Sequence, residues 1–134
     1  MTVGLLLVTH GKLGHHLLET MQEMIGPLPL AAEVLEVRRV QTTDALLLQG
    51  RRMIERLDSG TGVLLLTDAY GATPGNIACC LAQGPDTALV AGLNLPMLVK
   101  ILNYPQLDLA ALSVAAVEGG QRGVISCPKQ EAKS

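Results

Sequence analysis

The sequence contains no Phe, no Trp and only two Tyr among its 134 residues. With 49% of residues hydrophobic, the interior must be filled by Leu, Val, Ala and Met, which favours helix-on-sheet layers of aliphatic side chains. Cysteine is scarce: Cys79 and Cys80 are adjacent and Cys127 lies near the end. Three cysteines without framework spacing read as reduced thiols, and an adjacent pair alone is no zinc signature. No apolar stretch approaches the roughly 20 residues a membrane span needs. No basic segment precedes an apolar core with a cleavage site, so a cytoplasmic location is expected. Positive charge is not in excess either. The formal net charge of −2 argues against a nucleic-acid partner, which calls for a basic footprint. Arg38-Arg39, Arg51-Arg52 and Arg56 are local basic spots, read as solvated faces or protein-docking surfaces. No Walker loop or dinucleotide fingerprint occurs, so no ATP site and no cofactor are expected.

What the chain does have is an alternation of strand and helix patterns. Val3–Val8 is an apolar run, as in a strand buried on both faces of a parallel sheet. From Leu13, the residues Leu17, Leu18, Met21, Met24 and Ile25 recur at helical spacing until Gly26-Pro27. Glu33–Val37 reads as a half-buried strand nearer an edge. Thr42 or Thr43 can cap a second helix carrying Leu47, Gly50, Ile54 and Leu57 on one face. Val63–Thr67 is another almost wholly apolar strand, ending at Asp68, and Pro74 suits the first turn of the helix that follows. Ala88–Gly92, a helix from Asn94-Pro96 to Asn103, and a last helix from Leu107 to Glu118 ending at Gly119-Gly120 complete the pattern. Val124–Ser126 is expected as a short final strand. One domain over residues 1–126 and a polar tail over 127–134 are the reading.

Such β-α units imply an α/β fold: an open parallel sheet with right-handed crossovers and helices on both faces. The most apolar strands, the first and third, belong at the centre, giving the order 2-1-3-4. The switch point then lies between the carboxyl ends of strands one and three, where open sheets build their sites. His10 leaves the first and Asp68 the third. Neighbouring strands lie about 4.8 Å apart, so imidazole and carboxylate can meet. A carboxylate on one ring nitrogen fixes the tautomer and frees the other nitrogen for attack. The N–H groups of Gly11 and Lys12, and of the loop Gly71-Ala72-Thr73-Pro74-Gly75, could cradle a phosphoryl group. Gly71 and Gly75 would permit close backbone approach, and Thr73 could donate a hydroxyl.

Thr9-His10-Gly11, the stretch Leu66-Thr67-Asp68-Ala69-Tyr70-Gly71-Ala72-Thr73-Pro74-Gly75-Asn76, and Ala91-Gly92-Leu93-Asn94-Leu95-Pro96-Met97-Leu98 resemble the mannose-family enzyme IIA (EIIA) domain of the bacterial phosphoenolpyruvate:sugar phosphotransferase system (PTS). The resemblance extends to Glu118-Gly119-Gly120-Gln121-Arg122-Gly123-Val124. It implies that His10 accepts phosphate from the phosphocarrier HPr, that Asp68 orients it, and that a IIB protein or domain receives the phosphate for sugar uptake. It also implies a homodimer exchanging a C-terminal strand, here Val124–Ser126, and a peripheral tie to a membrane permease. Lys100 stands where the family often has an acidic residue. Transport versions often run on through an Ala/Pro-rich linker into a IIB domain, whereas this sequence stops at Ser134. A freestanding regulatory EIIA is the alternative.

Other readings explain less. His15 and His16 follow His10 closely, but consecutive helical residues point about 100° apart, and a metal needs convergent ligands; no metal site is expected. Asp68 also sits where a response-regulator receiver carries its phosphoacceptor, yet the acidic pair that fold needs after strand one is replaced by Thr9-His10-Gly11. A pure interaction module leaves His10 and Asp68 without a purpose. Tyr70 is either a loop anchor or part of a docking surface.

Overall fold

The computed structural model describes residues 1–130. Strands β1 (Gly4–His10), β2 (Ala32–Val37), β3 (Val63–Thr67) and β4 (Thr87–Ala91) form one parallel sheet in the order β2-β1-β3-β4. Helices α1 (Leu13–Ile25), α2 (Thr43–Leu57), α3 (Thr73–Leu81), α4 (Leu95–Asn103) and α5 (Leu109–Arg122) join and cover them. β1 lies between β2 and β3, with Leu7 level with Val34 on one side and Leu66 on the other. The apolar run thus marks a central strand, as the sequence implies.

Successive β1 residues face opposite sides of the sheet. Leu5 and Leu7 join a core with Leu18 and Met21 of α1, Met97 and Ile101 of α4, and Leu112 of α5. Leu6 and Val8 join a second core with Leu46 and Met53 of α2 and Ile77 and Leu81 of α3. Helices therefore lie on both faces. Leu5, Leu6, Leu7 and Leu64, Leu65, Leu66 are fully buried, each stabilising the fold by about 1.5–3 kcal/mol relative to exposure.

Most boundaries fall within two residues of expectation, and three differences bear on the site and the C-terminal segment. β1 runs on to His10, which is the last residue of the strand rather than a loop residue beyond it. α5 does not stop at Gly119-Gly120 but continues to Arg122. A side chain on Gly119 would overlap Cβ of Lys100, and one on Gly120 would stand 3.0 Å from Cε of Met97. The two glycines bring α5 against α4, and close helix packing outweighs their weak helix propensity. Asn94 at the start of α4 donates through Nδ2 to the Gly120 carbonyl at 3.1 Å. Val124–Ser126 is no strand within the single chain, and Val124 and Ile125 stand 79% and 70% exposed. Residues 127–130 are exposed and irregular, and the rest of the expected polar tail, 131–134, lies outside the described residues.

Candidate active site

The β1–β3 register aligns Val8 with Thr67, so the residues leaving both strands emerge together at the centre of the carboxyl edge. Two buried threonines brace that edge. Thr67 Oγ1 donates to the Val8 carbonyl at 2.8 Å, and Thr9 Oγ1 accepts the Gly14 N–H at 2.9 Å. A hydroxyl buried in a sheet must be satisfied, and these two bonds tie β3 to β1 and β1 to the first turn of α1. Beyond them, the His10 N–H donates to Asp68 Oδ2 at 3.0 Å, and ring Nδ1 stands 2.8 Å from the same oxygen. The Ala69 N–H donates to Oδ1 at 3.0 Å. The carboxylate side chain is 9% exposed and the imidazole 60%.

An ionised carboxylate only accepts, so Nδ1 carries the proton and the Nε2 lone pair faces outward. Burial pushes the Asp68 pKa up, but the N–H and ring bonds from His10, and the ring's charge when it is protonated, hold it below the ordinary carboxylate value. The loop after Asp68 folds back on α3. A Cβ on Gly75 would lie 2.6 Å from the Ala69 carbonyl oxygen, so this glycine admits the loop's own backbone, not an approaching ligand. Gly71 is needed for its left-handed conformation, at φ +85°. Tyr70, between Asp68 and Gly71, is 84% exposed. Pro74 occupies the first turn of α3, and Ala72 offers no side-chain cap. Beside His10 opens a cavity of about 400 Å³, whose polar lining is Arg38, Arg39, Gln41, Thr43 and Thr73. A strand-end imidazole backed by a carboxylate is suited to nucleophilic group transfer.

The family EIIA-man, described as the PTS system fructose IIA component, matches residues 4–117. The chain belongs to this family. It is an EIIA component of the phosphotransferase system, in the mannose family. It is 30% identical over 129 residues to the PTS system mannose-specific EIIAB component of Escherichia coli strain K12, covering 92% of this chain and 39% of that relative. The chain thus spans about two-fifths of the curated relatives' length. Among solved structures, the mannose/sorbose-specific IIA subunit from Enterococcus faecalis superposes with a TM-score of 0.85 at 25% identity, over 99% of this chain and 100% of that one. The PTS IIA protein associated with the fucose utilization operon of Streptococcus pneumoniae shares the fold, with a TM-score of 0.79 at 21% identity over 94% and 93%.

In this EIIA, the sequence-predicted pair His10 and Asp68 meets, and Thr73 lines the His10 cavity. Gly11 and Lys12 follow His10 at the start of α1, and Gly71 and Ala72 precede α3, outside that lining. His15 and His16 turn elsewhere: Nε2 of His15 lies 3.8 Å from Glu36, and Nδ1 of His16 lies 3.8 Å from Glu19. Sequence reasoning passed over Thr9, whose buried hydroxyl is visible only once α1 is docked. In sequence, Arg38 reads only as a solvated or protein-docking basic spot, whereas it lines the His10 cavity. The signal for Arg38 was its position immediately after β2, the strand that flanks β1. No helix among the described residues is long and apolar enough to cross a membrane.

Proposed function

We propose that this EIIA component accepts a phosphoryl group on Nε2 of His10 from the phosphohistidine of HPr and passes it to a IIB protein or domain in sugar uptake. Nε2 attacks phosphorus in line; the donor's N–P bond breaks, and its electron pair returns to the donor nitrogen. A new Nε2–P bond forms, and the proton on Nδ1 stays shared with Asp68, whose charge stabilises the phosphorylated ring. The second transfer repeats the exchange toward the IIB acceptor. The observation that carries this reading is the 2.8 Å contact between Nδ1 and Asp68 with the ring 60% exposed: one nitrogen is held and the other presented. Backbone N–H groups of Gly11, Lys12, Gly71 and Ala72, with the Thr73 hydroxyl, are the proposed cradle for the phosphoryl oxygens. Residues 1–126 are the proposed phosphocarrier domain, working at the cytoplasmic side of a permease.

The test is mass spectrometry after incubation with phosphoenolpyruvate, enzyme I and HPr. One acid-labile phosphate is expected on the wild type and none on His10→Gln. A His10→Gln protein that labels like wild type sinks the assignment.

The proposed assembly is a homodimer in which Val124–Ser126 pairs with the exposed edge of the partner's β4. An unpaired sheet edge next to an exposed apolar segment supports it. Because α5 runs to Arg122, the informative truncation is after Gly123, leaving the helix whole. Light scattering should then report a monomer, and a truncated chain that stays dimeric refutes strand exchange.

A further inference from the structure

We propose that Arg38 is a phosphoryl-binding residue of this site, its guanidinium gripping the group carried on His10. The proposal rests on the reading of His10 as phosphoacceptor. β1 and β2 are in register at His10 and Val37, and the Gly11 N–H donates to the Val37 carbonyl at 3.1 Å. That bond closes the carboxyl ends of the two strands together, so the residue after Val37 must emerge beside the residue after His10. The side chain follows the backbone. A methyl group built on Gly11 would stand 3.7 Å from Nη1 of Arg38 and 3.9 Å from Cζ. The guanidinium therefore lies over the peptide that immediately follows the phosphoacceptor.

Its position is held from both ends. The main-chain N–H of Arg38 donates to Gln41 Oε1 at 2.9 Å, and its carbonyl accepts the Gln41 N–H at 3.2 Å. At the tip, Nη2 donates to Glu36 Oε1 at 3.3 Å. One such bond leaves the other N–H donors of the fork free, and the side chain is 47% exposed. His10, Arg38, Arg39 and Thr73 line one cavity of about 400 Å³, and no carboxylate is in its lining. Asp68 lies against the opposite, Nδ1 side of the imidazole, and Glu36 is already engaged by Arg38. The cavity beside the imidazole thus carries two arginines and no carboxylate in its lining.

A phosphoryl group in transfer spreads negative charge over three oxygens, and a planar guanidinium donates to two of them at once. Its role is to hold the group, not to bring the donor protein. Removing a cation at about this range from a half-exposed site is expected to cost about tenfold in rate or affinity.

The experiment uses the full chain as wild type, Arg38→Ala and Arg38→Lys, with two readouts. In the first, inorganic phosphate is titrated while the His10 ring is followed by NMR. In the second, phosphoryl transfer from phospho-HPr is resolved into kcat and KM. Expected are saturable phosphate binding by wild type, affinity and kcat each lower by about tenfold in Arg38→Ala, partial recovery in Arg38→Lys, and KM for the donor little changed. Equal phosphate affinity and kcat in Arg38→Ala overturns the proposal. So does a change confined to the donor's KM, which would make Arg38 a docking residue. Wild type that labels on His10 beside an indistinguishable Arg38→Ala removes only this inference, whereas wild type that never labels removes the phosphoacceptor reading as well.

Discussion

The five helices of this protein begin in two different ways. Thr42, Asn94 and Asp108 each cap their own helix, accepting the N–H of Ala45, Met97 and Ala111 at 3.1, 2.9 and 2.8 Å. α1 and α3, which start beside His10 and Asp68, follow Lys12 and Ala72 and have no such side-chain bond. A missing cap costs about 0.5–2 kcal/mol, and here the omission falls on the two helices that follow the central strands β1 and β3. In α2, α4 and α5 a first-turn donor is closed by the helix's own sequence. In α1, which follows the His10 strand, the Gly14 N–H is instead covered by the Thr9 hydroxyl from that strand. Capped and uncapped starts are thus divided between helices, the uncapped pair being those that follow the His10 and Asp68 strands.

Several substitutions sharpen that division, beginning with the largest effect short of removing His10. Asp68→Asn keeps an acceptor oxygen but loses the charge; transfer to His10 should slow about 10²-fold, as for a lost general acid–base partner, with the fold intact. The same variant reads out linkage. The Asp68 pKa is lowered in the folded state, so its contribution to stability is full above the ordinary carboxylate range and lost as pH falls through the lowered value. The melting difference between wild type and Asp68→Asn should therefore be present at neutral pH and close in acid. Unchanged transfer kinetics would remove Asp68 from the mechanism.

Gly119→Val tests the other region. Its side chain would overlap Lys100, and such overpacking should destabilise the fold by about 1–3 kcal/mol in urea unfolding. Transfer by the protein that remains folded should match wild type; a matching loss of rate would show that the α4–α5 pair and the site are coupled. The smallest effect is expected from Ala72→Asp, which supplies α3 with the cap it lacks. Stability should rise by about 1 kcal/mol, while transfer slows about fivefold as the new carboxylate takes the N–H groups and repels the phosphoryl charge. If transfer is unaffected, the open start of α3 has no part in binding.

The strand order was legible because burial on both faces leaves a long apolar run, and Val3–Val8 and Val63–Thr67 are the most apolar of the strand segments. Placing those two side by side brings His10 to Asp68 without further information, and the structure pairs them at 2.8 Å. Glycine was less readable. At Gly119 and Gly120 the reason for the residue is a neighbouring helix, and at Gly75 it is a carbonyl six residues back in the chain; local sequence offers only the stop signal of a helix end. Thr9 and Arg38 escaped for a related reason. A hydroxyl that caps a helix from another element, and a cation laid over Gly11 by a strand pairing, are properties of the assembled sheet edge.

The scarcity of aromatic residues has an optical consequence. With no Trp, the near-ultraviolet absorption and emission of the chain come from two phenols standing in the two regions contrasted above. Tyr70 is 84% exposed on the loop between Asp68 and Gly71, while the ring of Tyr104, at the end of α4, lies 4.8 Å beneath Nζ of Lys100. Replacing either with Phe leaves a single-source spectrum, so the protein carries its own label-free reporters: one chromophore for events at the His10 edge, one for the integrity of the helix pair.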